Sequence, residues 1–248
     1  MSSALTAPVR PAGRPHRSVP GTGGRAAGWP VPAALVALSA IPLTAGTLRL
    51  LQLFGGPAVL PADDRFANQP VPLVVHIVGA SIYALVGSMQ LVPAVRRRHL
   101  TWHRRTGRVV AVAGLMVAGS ALWMTIGYAA KPGTGDLLYV LRLVFGSAMV
   151  AALMLGVTAA RRHDIRSHRA WMLRAYAIGL AAGTQALTEG IGGALFGTGE
   201  LSADLAKAAG WVINLAIAEW IIRRRAPSLR PRRRRRTVSQ DLLARVPE

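Results

Sequence analysis

The chain contains no cysteine. Disulfides, thiolate metal sites and cysteine nucleophiles are therefore excluded, and histidine, carboxylate and arginine chemistry remains. Acid is scarce as well: 10 Asp and Glu stand against 30 Lys and Arg in 248 residues, a formal net charge of +20. Only 16% of residues are charged while 52% are hydrophobic, which is not the balance of a soluble domain. The motifs of common soluble enzymes are missing too. There is no Walker-type loop, no HExxH and no G-x-S-x-G, and the glycines of "GGALFGTGE" follow no strand. They, with "GAS", "GLAAG" and "AAG", read instead as close-packing positions between helices.

What is present is a series of long apolar blocks. Six can be delimited: Trp29–Phe54, Val71–Val95, Gly107–Ala129, Leu137–Ala160, Ala170–Phe196 and Leu205–Ile222. A helix needs about 20 mostly apolar residues to cross the hydrocarbon core. Strands are excluded because a spanning barrel needs short alternating segments, whereas these are long, rich in Ala, Leu, Gly and Val, and do not alternate. The expected fold is all-α: a polytopic membrane bundle of six helices over residues 29–222. Residues 1–28 form a basic arm rich in Pro, Gly and Ser, and residues 223–248 a basic tail with "RPRRRRR"; both compositions are those of disordered segments. The first block is too long for the apolar core of a signal peptide and ends in no small-residue cleavage site, so it reads as a retained helix.

Charge orients the bundle. Arginines crowd the N-terminal arm, the joint Arg96–Arg108, the joint Arg161–Arg169 and the tail, while "GGPAVLPADDRFANQP", "KPGTGD" and "GTGELSAD" hold much of the acid. Basic joints alternate sides as six crossings require, which predicts an inner-membrane protein with both termini in the cytoplasm. That placement also accounts for the high net charge without nucleic acid. Juxtamembrane Lys and Arg gain about 1 kcal/mol each from anionic lipid, so lipid headgroups are the expected partners of these runs and of the tail. Oligomeric state is not encoded in any readable way.

The two basic joints resemble each other. "RRRHLTWHRRTGRVV" is followed about 65 residues later by "RRHDIRSHRAWMLRA", each opening a long apolar segment. His76 precedes His103 by 27 residues and Arg142 precedes His168 by 26, so the central four helices read as two parallel copies of one hairpin. Here the residues become familiar. His76 with Gly79, Gln90 and Pro93, then His103-Arg104 with Gly107-Arg108, then His168-Arg169 with Trp171, Met172 and Arg174, resemble a bacterial membrane-protein family, domain of unknown function 2306. The resemblance covers roughly residues 70–190. It implies a membrane architecture and no established activity. The family pattern often has an arginine after "AAxT" in helix five, where this chain has Gln185, Ala186 and Leu187.

Two polar constellations follow from the helix directions. On the inner side His103, Arg104, Arg108, His168, Arg169 and Arg174 gather at the mouths of helices three and five, with His99, His163 and Asp164 beside them. Arginine at a helix N-terminus opposes the dipole, so a phosphate, another anion or a carboxylate such as Glu219 is expected to compensate. On the outer side Arg49, His76, Arg142 and Glu189 lie at similar depth on four helices, roughly 6–12 Å inside the ends. Charged groups there are costly facing lipid, which predicts that they face inward and pair, Glu189 with Arg142 or Arg49.

Three functional readings are carried forward. The first is binding or movement of a small anionic or amphipathic ligand through these two clusters, with no catalysis. The second is haem-dependent electron transfer, with His103 and His168 as level ligands and the arginines pairing with propionates. The third is a scaffold or accessory subunit whose charges serve topology and packing alone. No metal site is expected, because the flanking arginines repel a cation.

Overall fold

The computed structural model describes residues 30–66 and 68–224, so the readings of the N-terminal arm and of the tail beyond Arg224 lie outside the described residues. Eight helices occur in this range: α1 Pro30–Leu53, α2 Val71–Gln90, α3 Pro93–Arg98, α4 Leu100–Gly127, α5 Asp136–Arg161, α6 Ile165–Gly179, α7 Ala181–Phe196 and α8 Glu200–Arg224. There is no strand among the described residues. Five of the helices, α1, α2, α4, α5 and α8, are long and apolar enough to cross a membrane. The molecule is a helical membrane bundle.

Its boundaries differ from the expected ones where local chemistry intervenes. Helix two was expected to reach Val95, but α2 stops at Gln90. Pro93 bars the α conformation from its predecessor, and Val92 is accordingly extended, with φ −72° and ψ 115°. Pro93 then occupies the first turn of the short basic helix α3, where its missing N–H is no loss. The helix expected from Gly107 begins at Leu100 instead, and the one expected from Ala170 begins at Ile165. Charge-free sequence marks the hydrocarbon core, whereas backbone hydrogen bonding continues through the charged turns at its border. The last helix likewise runs on through Arg223 and Arg224, which had been assigned to the tail.

The fifth expected crossing is broken. α6 and α7 meet at Leu180, where Gly183 N–H donates to the Leu180 carbonyl at 3.2 Å in place of a regular i−4 bond. There is no proline here; small residues on both sides, "GLAAG", let the chain kink. Gly183 also lies against α1, since a Cβ there would come 2.9 Å from the Leu38 carbonyl carbon.

The α5–α6 turn is closed by two back-to-back caps. His163 takes the left-handed conformation, φ 60°, its N–H reaches the Ala160 carbonyl at 3.1 Å, and Asp164 N–H reaches Ala159 at 2.9 Å. That is a Schellman closure with histidine where glycine is usual. Asp164 then caps α6 by accepting from Ser167 N–H at 3.0 Å, and this bond holds its carboxyl below the usual range.

The interior is assembled from small residues around two tyrosines. Tyr83 of α2 and Tyr176 of α6 face each other with centroids 5.5 Å apart, packed with Val117, Ala118, Met149, Leu153 and Ala175. The Tyr176 hydroxyl donates to the Ala84 carbonyl at 2.9 Å, which satisfies a buried donor. Large apolar residues such as Val112, Ile126, Val144, Leu195 and Trp220 are instead exposed. Small-inside, large-outside is the reverse of a soluble core, and it suits helices that gain nothing by hiding leucine from lipid.

Candidate functional site

The end that carries the α1–α2 and α4–α5 connections opens into a cavity of about 410 Å³. Its wall is mostly apolar, with contributions from Leu43, Leu73, Met124, Met149, Ile178 and Trp211. The kink itself lines it, from Ile178 to Gly183. Among the described residues three basic side chains share this wall, Arg65, His76 and Arg142, and no Asp or Glu does.

His76 Nδ1 lies 3.2 Å from the Val117 carbonyl and 3.1 Å from Ser120 Oγ. Arg142 lies one turn beyond Leu138 on α5, within Coulombic reach of Arg65, Asp204 and Glu189. No hydrogen bond or ion pair holds its guanidinium among the described residues.

The α1–α2 connection folds over the mouth and is tied down at several points. Both terminal nitrogens of Arg49 donate to the Pro61 carbonyl at 3.1 Å, and Gln52 Nε2 donates to Leu60 at 3.1 Å. Asp63 takes a two-pronged bond from Arg65, 2.7 Å and 2.6 Å. That guanidinium holds the Asp63 carboxyl below its ordinary range. Phe66 stacks edge-on against Tyr128, which packs edge-on with Trp123. The Tyr128 hydroxyl donates to the Gln69 carbonyl, and desolvation raises its titration.

Of the four outer residues singled out from the sequence, His76 and Arg142 share the cavity. Arg49 does not; it holds the loop. Glu189 does not pair with Arg142 or Arg49 as expected, but with Lys207 of α8 at 3.1 Å. The reason is rotation about α7. Gln185 Nε2 donates to the Lys207 carbonyl and Thr188 Oγ1 to the Ala206 carbonyl, so the stripe Gln185, Thr188, Glu189 faces α8.

One buried acid was missed. Asp204 of α8 is 1% exposed, and its Oδ2 accepts from the N–H groups of Gly135 and Leu138, each at 3.1 Å. It caps α5 from a neighbouring helix, because Gly135 at the N-cap has no side chain of its own. Its Oδ1 has no hydrogen-bond partner.

At the arginine-rich end, Arg174 forms a two-pronged pair with Glu219, the carboxylate named among the possible partners of the helix-mouth arginines; the longer arm is 3.1 Å, and Arg174 lies 4.6 Å over the Trp171 ring. His168 Nδ1 lies 2.8 Å from the Gly156 carbonyl. His103 is within Coulombic reach of His168, Arg96 and Arg104, and its Nδ1 is buried without a hydrogen-bond partner. Gln90 bridges the helices by donating to Thr106 Oγ1 at 2.7 Å, while its Oε1 is buried and unpartnered. Arg104 is exposed, Arg169 is half-buried, and Arg108 borders a shallow surface groove with Ile82, Val109 and Val112. None of the six residues lines the cavity. No cluster of three or more His, Asp or Glu that could hold a metal ion occurs among the described residues.

A family model described as predicted membrane protein, DUF2306, matches residues 73–222, from α2 to α8. The chain belongs to this family. Neither a curated protein nor a solved structure matches it. The match extends beyond the 70–190 resemblance to take in α8, and with it Asp204, Lys207, Asn214 and Glu219, α8 side chains that bond to other helices of this DUF2306 bundle.

Proposed function

We propose that this DUF2306 protein binds a small amphipathic anion in the cavity between its helices, without catalysing a reaction. One observation carries the reading: among the described residues the cavity wall combines Arg142, Arg65 and His76 with apolar surface and contributes no carboxylate. Arg142 is held among helices with no described carboxylate in direct contact, Asp204 and Glu189 acting on it only at a distance, so an arriving anion can take up donors that the protein leaves open. Its fork of N–H donors matches carboxylate or phosphate, and the apolar wall suits an acyl or aryl tail.

By the distribution of arginine the proposed setting is the inner membrane, with the arginine-rich end toward the cytoplasm and its exposed side chains on anionic headgroups.

Thermal unfolding of the full chain in mild detergent tests the binding. Octanoate should raise the midpoint and acetate should not, and Arg142→Gln should abolish the octanoate shift while the protein stays folded. An octanoate shift retained in Arg142→Gln protein would sink the proposal. The scaffold reading makes the opposite prediction, with no ligand shift in either protein.

Haem ligation by His103 and His168 is kept as a second reading on one specific observation. The Gly156 carbonyl can only accept, so His168 Nδ1 donates to it and Nε2 is the ring nitrogen left to face a metal, the arrangement found in metal-bound imidazoles. Reduced and oxidised absorption spectra of protein from haem-supplied cells decide it: a reducible Soret band lost in His168→Ala supports ligation, and colourless folded protein rejects it.

A further inference from the structure

The proton position of His76 can be deduced from its partners. Its Nδ1 faces two groups. The Val117 carbonyl can only accept. Ser120 Oγ already donates its hydrogen to the Met116 carbonyl at 2.6 Å, so toward His76 it too accepts. Nδ1 must therefore carry the ring proton, and Nε2 of the neutral ring is left as a lone-pair acceptor. No described residue donates to Nε2, on a side chain that borders the cavity.

An acceptor is an odd choice in a cavity whose wall also carries two guanidinium groups if the ligand is a bare anion, since a lone pair repels a carboxylate oxygen. It is the right choice for an oxygen that carries hydrogen. We infer that the cavity takes its anion together with one proton: a weak acid whose O–H hydrogen lies on the axis between its oxygen and His76 Nε2, while its other oxygen is left to Arg142. No covalent bond other than O–H is altered, and the added unit, anion plus proton, is electrically neutral. The inference rests on the proposed anion site and assigns that site a class of ligand, protonated weak acids with an apolar tail.

The surroundings of His76 permit this. The other titratable groups on the cavity wall are Arg65 from the loop, Tyr128 from the end of α4 and Arg142 from α5. The residues that α1, α6, α7 and α8 present there, such as Ser39, Gly183, Gln185 and Trp211, are not titratable. Asp63 is committed to Arg65, and Asp204 and Glu189 act on Arg142. Among the described residues no carboxylate on the wall competes for the proton.

Calorimetric titration of the full chain with octanoate at pH 7.5, in phosphate and in Tris, reads the proton directly. At that pH free octanoate is ionised, its carboxyl titrating near the usual 4 to 5. The expected result is about one proton taken up per octanoate bound, and an affinity that weakens about tenfold for each pH unit between 6.5 and 8.5. In His76→Phe protein the uptake should vanish while Arg142 retains weaker binding. Octanoate binding with no proton uptake in the natural protein, or uptake unchanged in His76→Phe, overturns the inference and leaves the anion site standing. The first of these needs no variant to fold. Absence of octanoate binding altogether overturns the anion site, and this inference with it.

Discussion

Asp204 and Gly135 are 69 positions apart and joined by a hydrogen bond: the buried carboxylate of α8 receives the N–H that opens α5. A second bond from Leu138 makes it a full helix cap delivered from another segment. Gly135 has to be glycine, because a Cβ would stand 2.8 Å from the carboxylate oxygen.

Asp204→Ala leaves two buried N–H groups without an acceptor, and the expected loss is about 2 kcal/mol. Asp204→Asn keeps an acceptor and should lose less. Unfolding in SDS from mild detergent measures both. Equal losses for the two variants would show that the bond to Leu138 and Gly135 is not what Asp204 supplies.

His163 at the α5–α6 turn is strained for a side chain. The left-handed conformation costs a non-glycine residue about 1 kcal/mol, and glycine gives back about half of that through its looser unfolded state. His163→Gly should stabilise the protein by about 0.5 kcal/mol in the same assay. A destabilised variant would mean that the exposed imidazole makes a contact worth more than its strain.

Asp63 predicts the acid response of the cavity mouth. Its folded carboxyl titrates below the ordinary 3.8, chiefly because Arg65 hydrogen-bonds the ionised form. A lowered carboxyl contributes stability above its unfolded value and loses it as pH falls through its folded value. The loop should therefore stay closed at pH 5 and loosen below about pH 4. Hydrogen exchange over residues 57–70 reads the opening, and Asp63→Asn should exchange fast at both pH values.

The helical bundle and the charge of its joints were legible, because apolar length and arginine placement are written residue by residue; five of the six apolar blocks correspond to single long helices and the other to the pair α6 and α7. Arginine at a helix mouth pointed to a compensating anion with Glu219 among the candidates, and Arg174 is the arginine that takes it. Depth was not enough for Glu189, whose partner depends on which way α7 is turned; the stripe Gln185, Thr188, Glu189 faces α8 and finds Lys207. Asp204 was invisible for a related reason. A cap normally lies next to the helix that it closes, and this one comes from a segment more than sixty residues away. The kink at Leu180 carries no proline to announce it, only glycines shared with every close-packed helix in the chain.

Those glycines are not equivalent, and Tyr83 shows which matter. Gly114 on α4 and Gly179 on α6 are 65 residues apart, the separation of His103 and His168, and they grip opposite edges of one ring. A Cβ on either would stand 2.6 Å from the ring, and 3.0 Å from Leu153 or Met149 of α5. Gly119, one turn and a half further along α4, meets nothing within 4 Å. Gly114→Ala and Gly179→Ala should each cost about 1–3 kcal/mol by overpacking, while Gly119→Ala should be neutral or gain about 0.5–1 kcal/mol from helix propensity. Tyr83→Leu removes the ring that both glycines accommodate. Adding it to Gly114→Ala should recover part of the loss, so the two changes together should cost less than their sum. Strict additivity would mean that the Tyr83 ring is not what forbids a side chain at Gly114, and that the approach of α4 to α5 through Leu153 sets the limit instead.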